Sequence, residues 1–165
     1  QAVERLEHGT LDIVLLALPF DTHNLMVQEL RDEPLCLVYH EQDTTCARAR
    51  SMADLDLSRL LLLEEGHCLR EHTLSACSIS DLKQTSSLSA SSLPTLIQMV
   101  QARLGFTLLP AIAINSGILN GQPQLKVKSI DQAPQRTLAL LTRKSTPLHA
   151  EFAQLAKLLE PIINF

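Results

Sequence analysis

The chain has 165 residues, 45% of them hydrophobic and 19% charged, with a formal charge of −4 from 14 basic and 18 acidic side chains. That balance excludes wholesale disorder, and the aliphatic runs never approach the roughly 18 residues that a membrane-spanning helix needs. The core has to be Leu-rich and nearly free of rings, with 33 Leu against four Phe, one Tyr and no Trp; a chain of this size buries roughly 70% of its extended surface and so needs neither metal nor disulfide for stability.

Val3, Leu6 and then Gly9 read as the last two turns of a helix, so a segment N-terminal to Gln1 is expected. Leu11–Leu18 is a continuous apolar run stopped by Pro19, the pattern of a strand buried on both faces. Leu25–Leu30 is a weaker strand, and Pro34 precedes a second run over Leu35–Tyr39. The stretch from Glu41 to Arg50 is polar and reads as a loop, with Cys46 an exposed thiol and Arg48 and Arg50 a solvated surface; Ser51 is placed to cap a short turn. Leu60–Leu63 is a further buried run, ended by Glu64, Glu65 and Gly66.

From Cys68 to Cys77 the pattern is weakly helical, with Cys68, Leu69 and His72 on one face. The segment from Ser78 to Ser92 is Ser-rich, with a polar strand expected over Thr85–Ser89. Ser91 or Ser92 then caps the clearest helix: Pro94 suits its first turn, Leu93, Leu96, Ile97, Val100 and Leu104 form its apolar stripe, and Gly105 ends it. That stripe exceeds what one lobe needs and is expected to meet another subunit in part. Phe106–Leu109 is a strand, Ile112–Leu119 a short helical stretch, Leu125–Ile130 and Thr137–Leu141 are strands, and Phe152, Leu155, Leu158 and Leu159 mark a terminal helix that stops near Pro161. Alternating strands and helices give an α/β class. One strand group lies before Arg31 and after Gln135 and the other between them, which fits two lobes crossed twice by the chain.

The chemistry concentrates at Gly66-His67-Cys68-Leu69-Arg70-Glu71-His72, followed by Cys77. Cys68 sits where a strand gives way to a helix, next to unpaired backbone N–H groups and a partial positive charge. His67 and Arg70 are its sequence neighbours, and all of these favour thiolate over thiol. Such a Cys is oxidised by peroxide to a sulfenic acid, which a second thiol converts to a disulfide; Cys77 is a candidate for that thiol. Nine residues of helix rise about 13.5 Å, whereas a disulfide needs Cα atoms within about 7 Å. Bond formation would therefore require the helix to unwind. Two plainer readings stand beside this one. A Cys is often only a small buried hydrophobe, and Cys36, mid-strand, is read as core. His67, Cys68, His72 and Cys77 are also metal-ligand types, but their spacing matches no common zinc pattern. His8, His23, His40 and His149 show no partner pattern. No phosphate loop, H-E-x-x-H or G-x-S-x-G motif is present.

Glu65-Gly66-His67-Cys68-Leu69-Arg70 with the following Cys77 resembles the redox centre of the LysR-type hydrogen-peroxide-sensing regulators, the OxyR group. Ser92-Leu93-x-Thr95-Leu96-x-x-Met99-Val100, then Gly105-Phe106-Thr107-Leu108-Leu109-Pro110-Ala111, resembles the effector-domain signature of LysR-type regulators in general, as do Gly9-x-Leu11-Asp12 and Arg136-Thr137-Leu138-x-Leu140. The resemblance runs from about Gln1 to Phe152. It implies a two-lobed α/β fold like that of periplasmic solute-binding proteins, with an incomplete lobe I over 1–33 and 135–165 and a lobe II over 34–134. It further implies that Cys68 reacts with peroxide, Cys77 resolves the product, and His67 and Arg136 bind peroxide or activate the thiolate. The family threonines that help cradle peroxide are expected N-terminal to this chain.

The implied protein is a cytoplasmic transcription factor, not an enzyme, with no cofactor or metal and no membrane attachment. Its implied partners are hydrogen peroxide, further copies of itself in a dimer or tetramer, RNA polymerase, and a thiol reductant for reset. DNA would be bound only through an N-terminal domain outside this chain, since net −4 with no basic stripe does not grip nucleic acid. Ala102-Arg103-Leu104-Gly105 departs from the usual Ala-Gly-x-Gly at a helix end, a change expected to alter packing or dimer contacts. Two other functions fit the class: a metabolite-binding effector domain with incidental cysteines, and a thiol-redox enzyme.

Overall fold

The computed structural model describes residues 2–22, 24–77 and 85–163, and it divides into two compact units. Unit 1 comprises 1–33 and 136–165, and unit 2 comprises 34–135.

In unit 1, helix α1 (Ala2–Glu7) buries Leu6. It ends on Gly9, whose φ of +75° is the left-handed value that glycine adopts without strain. The Arg143 guanidinium closes this corner by donating to the carbonyls of Leu6 and Leu11 and to the Asp12 carboxylate. Strand β1 (Ile13–Leu18) pairs antiparallel with β7 (Gln135–Arg143), Ile13 opposite Thr142 and Leu18 opposite Thr137. The expected two-sided burial of β1 is not found. Ala17 is its one buried residue and Leu15 is 46% exposed, because β1 is an end strand of its sheet, next to β7, among the described residues. Leu6, Leu25, Ala139 and Leu141 make one small core; Ala17, Leu138 and Ile163 make another, against which Leu159 of the terminal helix packs.

Strand β2 is a single 16-residue strand, Leu25–His40, rather than two separate runs. Pro34 is accommodated within it, and the next residue restores the pairing by donating from Leu35 N–H to the Pro134 carbonyl at 2.8 Å. The unit 2 half of β2 pairs on one side with β5 (Thr107–Pro110) and on the other with β6 (Leu125–Lys128), both antiparallel. Period-2 alternation then feeds two cores. Leu35, Leu37 and Tyr39 point to one, with Leu60, Leu62, Phe106 and Leu108; Val38 points to the other, with Leu61, Leu63 and Leu109. The unbroken apolar run Leu60–Leu63 thus has a use for every side chain. Its last two residues form β3 (Leu62–Leu63), parallel to β4 (Ser89–Ala90); of the strand expected over Thr85–Ser89 only Ser89 is in β4, and 78–84 lie outside the described residues.

Cys46 is not in an exposed loop. Asp43 caps a helix, α2 (Thr44–Arg48), by accepting from Cys46 N–H, and this turns Cys46 inward to complete burial. Burial, reinforced by the Asp43 carboxylate, pushes its thiol up to about 12. Helix α4 (Leu93–Gln101) starts from a Ser92 cap and buries Leu96, Ile97 and Val100 against the second core. Leu104, expected in that stripe, is 49% exposed. Arg103 has φ +63°, and the bonds Arg103 N–H to Val100 O and Leu104 N–H to Met99 O form the left-handed Schellman ending usually built on glycine. Helix α5 (Ala111–Asn115) follows β5, and α6 (His149–Leu159) is the last helix among the described residues. No helix among the described residues is long and apolar enough to cross a membrane.

Candidate functional site

Helix α3 (Cys68–Ala76) carries the two cysteines at its ends. The chain leaves β3, turns at Gly66 with φ +88°, and places His67 at the N-cap in extended conformation without a side-chain capping bond. The first backbone N–H groups of the helix therefore lack the usual capping acceptor. Cys68 occupies the first helical position and is exposed, while His67 beside it is half-buried. Arg70, one turn in, donates Nη1 to the Leu63 carbonyl at 2.8 Å and pins the first turn to the end of β3.

The inner face of α3 buries His72, Thr73 and Leu74, with Leu69 half-buried against both cores. Cys77 is the C-cap, its N–H donating to the Thr73 carbonyl at 3.0 Å. It packs partly buried against the first core, and burial pushes its thiol up to about 11. All four cysteines are free thiols, with Cys36 and Cys46 buried, Cys77 intermediate and Cys68 exposed. Between first helical position and C-cap the rise is about 13.5 Å, roughly twice the Cα separation a disulfide allows.

Arg136 belongs to unit 1. Its Nε donates to Glu33 Oε2 at 2.7 Å, with side-chain exposures of 13% for Arg136 and 0% for Glu33. Its first task is thus to neutralise a carboxylate removed from water. Among the described residues, no three His, Cys, Asp or Glu side chains gather as a metal site. Sequence reasoning gave His40 no role, yet it is only 5% exposed and hydrogen-bonded through both ring nitrogens. Nothing in the spacing around it signals that.

The fold is that of a LysR substrate-binding domain, an α/β architecture of the periplasmic-binding-protein kind, and residues 1–161 match the LysR substrate binding domain family. The chain belongs to that family. It is similar to the HTH-type transcriptional regulator EstR of Acinetobacter baylyi, 58% identical over 160 residues, covering 97% of this chain and 53% of that protein. It is also similar to the DNA-binding transcriptional dual regulator OxyR of Escherichia coli, 35% identical over 164 residues, covering 95% and 52%. The reduced regulatory domain of OxyR2 from Vibrio vulnificus superposes with a TM-score of 0.84 at 32% identity, covering 98% of this chain and 76% of that one. The chain spans about half the length of the curated relatives it matches.

Proposed function

We propose that this chain is the regulatory domain of a peroxide-responsive LysR-type transcription factor, with Cys68 as the sensing thiol and Cys77 as the resolving one. The observation that carries the reading is the placement of an exposed Cys68 at the uncapped start of α3 and a half-buried Cys77 at its end. In the first step the Cys68 thiolate attacks one peroxide oxygen and the O–O bond breaks. Hydroxide leaves and is protonated to water, and the sulfur, oxidised by two electrons, becomes a sulfenic acid. His67 helps hold the peroxide. In the second step Cys77 condenses with the sulfenic acid, an S–S bond forms and water leaves.

Because α3 holds the two positions apart, the second step requires its unwinding. The rearrangement then changes the oligomer and the DNA-bound state of a full-length factor, which binds DNA through a domain outside this chain and acts on RNA polymerase in the cytoplasm. A thiol reductant returns two electrons and resets the switch. The reaction is stoichiometric signalling rather than turnover. The test is thiol loss after one equivalent of peroxide: the unaltered chain should lose two thiols, Cys68→Ser none, and Cys77→Ser one, left as sulfenic acid or oxidised further. Loss of two thiols in the Cys68→Ser variant overturns the assignment.

A further inference from the structure

At the His40 end of β2, unit 2 carries an open depression of about 300 Å³. It shares no lining residue with the redox helix. Two guanidinium groups, Arg59 and Arg103, line it together with His40 and Thr44. Arg59 is compensated, its Nη2 lying 2.6 Å from Asp43 Oδ2. Arg103 is held instead by a neutral amide, Nη1 donating to Gln42 Oε1 at 2.7 Å. The depression therefore holds two cations against one carboxylate, on a chain whose net charge is −4.

The support beneath Arg103 is fixed. Gln42, which holds it, donates its own backbone N–H to His40 Nδ1 at 3.2 Å. That nitrogen accepts, so the ring proton sits on Nε2, which faces Gln124 Oε1 at 3.3 Å. Gln101 donates to the same oxygen at 2.7 Å. Opposite, the Gly105 backbone lies so close to Arg59 that an added Cβ would come within 2.1 Å of the Arg59 carbonyl oxygen. Phe106 N–H also donates to that oxygen at 3.1 Å. The two arginines thus stand on backbones locked to each other.

Arg103 also occupies a left-handed position, φ +63°, that glycine would fill without strain. A residue kept against that cost calls for a use of its side chain. We infer that Arg59 and Arg103 form a binding site for a small organic anion, taken up by its carboxylate or phosphate head between the two guanidinium groups. Planar guanidinium groups match both heads in paired hydrogen bonds, the Thr44 hydroxyl at the rim adds a further polar contact, and the volume suits a ligand of metabolite size. The site does not depend on the peroxide reading.

Arg103→Gly separates binding from folding, because it removes the guanidinium while relieving the backbone. Isothermal titration with citrate and with inorganic phosphate, at constant ionic strength against a chloride blank, should show saturable binding of at least one. Citrate binding alone marks a carboxylate ligand, and phosphate binding alone marks a phosphate ester. In Arg103→Gly the same titration should weaken by about tenfold or more while the melting temperature rises. Absence of saturable binding of either anion to the unaltered chain overturns the inference, as does undiminished binding to Arg103→Gly.

Discussion

Replacing Glu71 by Ala and by Gly gives a matched pair that tests whether α3 must unwind before the disulfide closes. Glu71 lies in the first turns of α3, is exposed, and touches neither core. Both variants lose the same carboxylate and the same favourable charge at the helix start, so they differ only in the cost of keeping that residue helical. The cost is about 1 kcal/mol higher for Gly than for Ala. If the closing conformer has α3 unwound, that difference raises its population about fivefold in the Gly variant, at RT of about 0.6 kcal/mol. The rate of disulfide formation should follow by the same factor. The rate of sulfenic acid formation should be alike in the two, because Cys68 stands at the exposed start of the helix and reacts before any unwinding. The assay is rapid mixing with one equivalent of peroxide, with sulfenic acid trapped by dimedone and the disulfide counted by mass spectrometry. Equal disulfide rates in the two variants would refute the unwinding argument, even if the bond itself forms.

Three further outcomes follow from the geometry. Arg136→Ala removes the guanidinium 2.7 Å from the fully buried Glu33 carboxylate and should destabilise the chain by about 3–5 kcal/mol in urea titration; adding Glu33→Ala should restore much of the loss. Alkaline stability should fall above the ordinary thiol value of about 9, because Cys46 and Cys77 stay protonated in the fold to about 12 and about 11 while unfolded thiols ionise earlier. Both folded values are raised, so this stability is fully present below about pH 9 and is lost as pH rises through them, which denaturation at stepped pH reads directly. Arg103→Gly relieves the φ of +63° and should stabilise by about 1 kcal/mol, or roughly 2–4 °C in melting temperature for a domain of this size.

The apolar runs Leu35–Tyr39 and Leu60–Leu63 disclosed segments buried on both sides, since each side chain needs a core. The same inference failed at Leu11–Leu18, because an apolar run does not say whether its strand lies inside a sheet or at its end. The Ser91–Ser92 pair and Pro94 announced α4 because both signals act within one turn, and the structure makes Ser92 the cap. Leu104 left the stripe only because Arg103 turns left-handed, a conformation no side-chain pattern encodes. Cys46 was misplaced for a related reason: five polar residues outweighed one Cys, yet the Asp43 cap rotates that Cys into the core. At α3, spacing alone placed Cys68 first and Cys77 last. The exposure of one and the part-burial of the other depend on which face Leu69 and Leu74 bury, and only packing decides that.

Trypsin cleaves after Arg59, Arg70 and Lys83, which puts Cys68 on the peptide Leu60–Arg70, Cys77 on Glu71–Lys83, and Cys36 and Cys46 together on Asp32–Arg48. Mass spectrometry of this digest before and after one equivalent of peroxide is the most direct test of the sensing chemistry. The sensing chemistry requires that peroxide joins Leu60–Arg70 to Glu71–Lys83 through one disulfide and leaves Asp32–Arg48 with two free thiols. A free Cys68 beside an oxidised Cys36 or Cys46 would contradict it.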